Sequence, residues 1–158
     1  MTLPPPDELA LLDALLAGTP PDAEHLLPTL QRVQSAMGYI SQPAIRYLAQ
    51  AFNLSRADVY GVVTFYHDFR EAPVGETVVQ LCMAEACQAT GCRELAAHAC
   101  ERLGVALGET TADGRVHLEA AYCFGNCALG PAMRVGNDVF GRVTPARFDA
   151  VLAEAITS

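Results

Sequence analysis

The sequence predicts an α+β fold, a helical first part followed by a small mixed sheet flanked by helices, and three observations carry that prediction. Apolar residues recur at helical spacing in four successive segments up to about Pro73, a stretch without cysteine. From Gly75 onward, short β-rich runs alternate with helical ones. Two turn signals, Asp113-Gly114 and Gly136-Asn137-Asp138, lie between strand-like runs, where hairpins place them. The boundary falls between the two characters, giving a helical domain over residues 1–73 and a mixed domain over residues 74–158.

In the first domain, Pro6 to Leu16 reads as a short amphipathic helix stopped by Gly18. A second helix runs from near His25 to Met37, with Leu26, Leu30, Val33 and Met37 on one face, Pro28 in its first turn and Gly38 at its stop. Ser41 is placed to cap a third, with Pro43 in the first turn, Ile45, Leu48 and Phe52 facing inward and Asn53 taking the left-handed stop. Ser55 caps a fourth, Asp58 stands at the capping-box position, and Val59, Val62, Val63 and Tyr66 follow at helical spacing. Gly61 inside this helix costs about 1 kcal/mol relative to Ala, which predicts close packing against a neighbour.

In the second domain, Val78-Val79-Gln80-Leu81 reads as a buried strand running into Cys82, and Gln88 to Leu103 as a helix with Cys92, Ala96, Ala99 and Leu103 on one face and Gly104 at its stop. One hairpin joins Glu109-Thr110-Thr111 to Val116-His117-Leu118, and another joins Met133-Arg134-Val135 to Val139-Phe140. Thr144 caps a closing helix with Pro145 at its first position and Phe148, Val151, Leu152 and Ile156 as its apolar stripe.

With 158 residues, 51% of them apolar, the chain can bury a core without disulfide staples. A net charge of −8 argues against nucleic-acid binding, because phosphate contacts need clustered cations. All ten cations are Arg, which a biased genomic composition explains. The N-terminus lacks the cationic start of a secretory signal, and no apolar run reaches the length of about 20 residues that spans a bilayer. A cytoplasmic protein without direct membrane insertion is expected. In a reducing compartment, six cysteines point to metal ligation or catalysis rather than disulfides.

Four cysteines form two close pairs, C-x4-C at Cys82 and Cys87 and C-x3-C at Cys123 and Cys127, each in a loop after a predicted strand. Two such loops can meet at one end of a sheet and present four thiolates. Iron–sulfur clusters and structural zinc both take thiolates. Zinc knuckles use the tighter C-x2-C spacing, so the pattern favours a cluster. A thioredoxin-type redox pair needs C-x-x-C, which is absent. Gly125 permits a sharp turn that frees backbone amides to face sulfur, although an ordinary tight turn would also use a glycine.

These cysteines, together with Val62-Val63-Thr64-Phe65-Tyr66 at the end of the helical half, resemble the thioredoxin-like [2Fe–2S] subunit family. Its members include the 24-kilodalton-type subunit of respiratory complex I (NADH:quinone oxidoreductase), the diaphorase subunit of NAD-reducing hydrogenases and the gamma subunit of NAD-dependent molybdenum formate dehydrogenases. The resemblance runs from Leu26-Leu27-Pro28 through Gly38-Tyr39-Ile40 and Asn53-Leu54-Ser55 to Gly141-Arg142-Val143-Thr144-Pro145. Cys82-Met83-Ala84-Glu85-Ala86-Cys87-Gln88, Thr110-Thr111-Ala112-Asp113-Gly114 and Gly141 through Phe148 look most like the formate dehydrogenase gamma subunit.

The resemblance implies a four-helix N-terminal region, a thioredoxin-like domain and one [2Fe–2S] cluster on Cys82, Cys87, Cys123 and Cys127. It also implies docking on a subunit carrying flavin mononucleotide (FMN) and NAD, with formate oxidised at a molybdenum cofactor in a large subunit. The chain would then be a non-catalytic redox subunit with no substrate site of its own. Cys92 and Cys100 are additional thiols whose helical positions favour buried packing, although Cys92 repeats the five-residue step from Cys82 to Cys87 and could exchange as a ligand.

The four histidines, His25, His67, His98 and His117, are scattered and read as surface or satisfied side chains. Phe65 and Tyr66 read as helix core. No Gly-rich phosphate loop is present, so flavin, NAD and molybdenum belong on partners. Two readings from other classes compete with the redox subunit: a zinc-stabilised interaction module, and a helix-turn-helix over residues 48–59. The acidic charge and Asp58 at the start of the supposed recognition helix oppose the second.

Overall fold

The computed structural model describes residues 4–157, which divide into two compact units, the first ending at Pro73 and the second beginning at Val74. Among the described residues the first unit holds four α-helices, α1 (Pro6–Leu16), α2 (Leu26–Met37), α3 (Gln42–Ala51) and α4 (Arg56–Phe65), with a 3-10 turn at Ala23–His25 leading into α2. Their facing sides bury Leu12, Leu30, Val33, Ile45, Leu48, Phe52, Val59 and Val63 in one core. The ends are set by local chemistry. Gly38 turns left-handed and donates its amide to Gln34, and Asn53 takes φ 52° beyond α3. Ser41 accepts the Ala44 amide at 3.0 Å, and at α4 the Ser55 and Asp58 side chains form a reciprocal capping box.

Two expectations for α4 fail. A Cβ placed on Gly61 meets nothing within 4 Å, so no neighbour packs closely there. Phe65 and Tyr66 are not core, being 73% and 43% exposed. Val59 and Val63 take the inward face, and Tyr66 lies past the helix end in extended backbone. Phe65, Tyr66 and Phe69 instead stack edge to face in sequence.

The second unit is a five-stranded mixed sheet in the order β2-β3-β1-β4-β5, built from β1 (Thr77–Cys82), β2 (Glu109–Thr110), β3 (Val116–Ala121), β4 (Met133–Val135) and β5 (Asp138–Phe140). β1 and β3 are parallel, joined by a helical crossover, and the remaining pairs are antiparallel. The crossover expected as one helix from Gln88 to Leu103 is in fact two. A four-residue α5 (Glu85–Gln88) ends before Gly91, whose φ of +96° breaks the helix, and α6 (Cys92–Leu103) starts after it. α6 and α7 (Pro145–Thr157) pack on the face that carries Val79, Leu81, Val116, Leu118 and Met133, contributing Leu95, Ala96, Ala99, Phe148 and Leu152. The α+β class and mixed sheet agree with the sequence prediction. No described helix is long and apolar enough to cross a membrane.

Candidate metal centre

The site arises from the parallel pairing of β1 with β3. Their register places Cys82 beside Ala121, so both strands end at the same edge of the sheet and the segments that follow them emerge side by side. Cys82 is the last residue of β1, and Cys87 lies in α5 rather than in an open loop. Cys123 follows β3 by two residues, and Cys127 opens a short 3-10 turn, Cys127–Leu129. Cys82 and Cys87 are buried, whereas Cys123 and Cys127 stand at the surface with their sulfurs 3.5 Å apart.

The backbone around these sulfurs is shaped to donate. Cys123 has φ 87°, a conformation that costs a non-glycine residue energy, and Gly125 follows at φ 78°. The Gly125 amide donates to the Cys123 sulfur at 3.3 Å. Burial pushes the Cys82 thiol up, but the amide of Ala84, the Cys87 thiol and the amides of Cys123 and Phe124 outweigh it and hold it below its ordinary range. The second cysteine segment therefore reaches the first. Burial and the neighbouring Cys82 push Cys87 the other way, up to about 11, against an opposing hydrogen bond from the Ala132 amide. Cys127 is raised chiefly by its hydrogen bond with Cys123.

Two glycines allow the walls to close in. A Cβ on Gly130 would lie 2.5 Å from the Thr90 hydroxyl and 3.5 Å from the Cys87 sulfur. One on Gly141 would lie 2.7 Å from the Leu129 Cβ and 2.8 Å from its carbonyl oxygen, and the Arg142 amide donates to that same carbonyl. Cys92 is buried at the start of α6, in one apolar cluster with Cys82, Cys87 and Ala132, and burial raises its thiol. Cys100 is half-buried beside the core of the sheet. Among the described residues, no three His, Cys, Asp or Glu side chains converge on a single point.

Sequence reasoning singled out the cysteines but not the Ala84, Phe124 and Ala132 amides or the approach of Gly130 and Gly141, which depend on non-local packing. Three histidines have carboxylate partners: His25 with Asp22, His98 with Asp149 and His117 with Glu119.

Residues 12–156 match the family model described as thioredoxin-like [2Fe-2S] ferredoxin. The chain is 36% identical over 130 residues to the NADP-reducing hydrogenase subunit HndA of Solidesulfovibrio fructosivorans, covering 82% of this chain and 76% of that one. It is 35% identical over 152 residues to an NADH-quinone oxidoreductase subunit of Rhizobium meliloti (strain 1021), covering 93% of this chain and 90% of that one. Among solved structures, the NAD+-reducing [NiFe]-hydrogenase in its H2-reduced state superposes with a TM-score of 0.75 at 24% identity, over 88% of this chain and 23% of the hydrogenase chain, a likeness of fold. With the family model spanning nearly the whole chain and relatives above 30% identity, this protein belongs to the thioredoxin-like [2Fe–2S] ferredoxin family.

Proposed function

We propose that the chain holds one [2Fe–2S] cluster on Cys82, Cys87, Cys123 and Cys127 and serves as an electron-transfer subunit of an NAD-linked oxidoreductase complex. The observation that carries this reading is the meeting of two cysteine pairs at the ends of adjacent parallel strands, with main-chain amides turned to their sulfurs. The donor set fits the group, since soft thiolates select iron–sulfur clusters and zinc. When bound, the cluster supplies one-electron redox chemistry. The chain's own part is to hold the thiolates and to direct the Ala84, Phe124, Gly125 and Ala132 amides at them, which favours the more negative, reduced state. Exposure of Cys123 and Cys127 leaves one side of the site open to a partner.

The partner is read as a flavoprotein subunit carrying FMN and NAD in the cytoplasm. The complex is read as an NAD-dependent molybdenum formate dehydrogenase, with the molybdenum cofactor on its large subunit. Support for formate comes from the segments Cys82–Gln88, Thr110–Gly114 and Gly141–Phe148, which resemble the gamma subunit of such enzymes. A second reading is favoured by the names of the relatives: the equivalent subunit of an NADH-quinone oxidoreductase or of a hydrogenase that reduces a nicotinamide cofactor. Affinity purification of the tagged chain from its own host separates the readings by the activity that co-purifies. Formate-dependent reduction of NAD is expected. Quinone-linked NADH oxidation or hydrogen-dependent reduction of the nicotinamide would assign the chain to the second reading.

A further inference from the structure

The sheet face opposite α6 and α7 carries a continuous polar row that no part of the cysteine site uses directly. Thr110 and His117 are register partners on β2 and β3, and the Thr110 hydroxyl lies 2.9 Å from His117 Nδ1. His117 Nε2 lies 3.4 Å from Glu119 Oε2, two residues along the same strand and on the same face. Glu119 is the register partner of Gln80, whose amide nitrogen donates to Glu119 Oε1. Gln80 is in turn the register partner of Arg134, whose Nε donates to Gln80 Oε1. The links form one chain of hydrogen-bonding side chains that runs from Thr110 through His117 to Glu119, and from Arg134 through Gln80 to the same Glu119 side chain. Gln80 and His117 are both buried, so the row is fixed in place.

The row ends at the cysteine site. The Arg134 guanidinium lies over the Phe124 ring, 5.5 Å from its centroid. Phe124 stands between Cys123 and Gly125 in the segment whose amides reach toward the first cysteine pair. A guanidinium tied at Nε by Gln80 cannot follow the ring if the segment swings out, so the stack acts as a latch.

We propose that Arg134 is a positioning residue for the cysteine segment, latching Phe124 from the sheet, with Gln80, Glu119, His117 and Thr110 holding Arg134 in place. The role in the cluster rests on the [2Fe–2S] reading above. The latch itself does not.

Amide hydrogen exchange on the full apo chain tests the latch. Arg134→Met and Phe124→Leu should each speed exchange across residues 122–127 by about two- to fivefold, the factor a single cation–π contact supports, and leave the amides of β1 and β3 unchanged. Arg134→Lys, which keeps the cation without the fork to Gln80, should fall between wild type and Arg134→Met. In the reconstituted chain, release of iron to a chelator should speed up in Arg134→Met and Phe124→Leu. The reduction potential should fall in Arg134→Met and fall less in Arg134→Lys, which keeps the positive charge without its tie to Gln80, because a cation nearby favours the form with the added electron.

Wild-type exchange at residues 122–127 in Arg134→Met, or an acceleration spread evenly over the whole sheet, would overturn the proposal. Should Arg134→Met fail to fold, Phe124→Leu tests the same contact from the ring side, and unchanged exchange there would also overturn it. Failure of the wild-type chain to take up iron and sulfide would instead overturn the cluster reading, with the apo exchange result still deciding the latch.

Discussion

At the scale of the residue, the six cysteines divide by what surrounds each sulfur. Cys82, Cys87 and Cys123 accept main-chain amides, and Cys127 lies against Cys123. Cys100 sits half-buried beside the sheet core. A serine at a ligand position offers a harder oxygen donor. Cys82→Ser, Cys87→Ser, Cys123→Ser and Cys127→Ser should therefore each abolish or strongly alter the paramagnetic resonance signal of the reduced chain, while Cys100→Ala leaves it unchanged. Cys92 is the sharper case, because it is buried against Cys82 and Cys87. Cys92→Ala should keep the signal and lower the unfolding free energy by about 1 kcal/mol, at the mild end of core truncations. A native signal in Cys87→Ser together with its loss in Cys92→Ala would move the ligand assignment one step along the chain.

At the scale of the element, the helix ends were legible because their chemistry is local. Gly38, Ser41, Asn53, Ser55 and Thr144 act on residues within one turn, so the sequence shows both the cap and the partner it bonds. The Asp58 carboxyl is held below its ordinary value of 3.8 by the Ser55 hydroxyl and then by the Ser55 amide. A lowered carboxyl contributes stability above its unfolded-state value and loses it as pH falls through the folded value. Asp58→Asn should therefore weaken α4 in urea titrations at pH 6, and the difference from wild type should shrink by pH 3. The glycines show the opposite limit, since what a Cβ would meet depends on distant residues. Gly61 has open space in a helix interior, so Gly61→Ala should stabilise the chain by about 1 kcal/mol. Gly141→Ala would press on Leu129 and Asn126, costing about 1–3 kcal/mol in thermal or urea unfolding and reducing iron retention by displacing the Cys127–Leu129 turn. The break at Gly91 has a local cause, its left-handed φ of +96°, whereas the exposure of Phe65 and Tyr66 escaped the sequence because it depends on distant neighbours. Apolar spacing reports which residues could face a core, and tertiary neighbours decide which do.

At the scale of the whole molecule, the sheet order is what makes the centre. C-x4-C and C-x3-C spacings are visible in one dimension, and the parallel β1–β3 pairing that brings their strand ends together could be expected from a strand, helix, strand succession. The register that aligns Thr110, His117, Glu119, Gln80 and Arg134 could not, because it joins four strands from separate parts of the chain. The net charge of −8 opposes the dense phosphates of nucleic acid. The most direct test of the cluster assignment is iron, zinc and acid-labile sulfide analysis of the full chain purified without oxygen. Two iron and two sulfide per chain are predicted, as the cluster type requires. Stoichiometric zinc with no sulfide would contradict it.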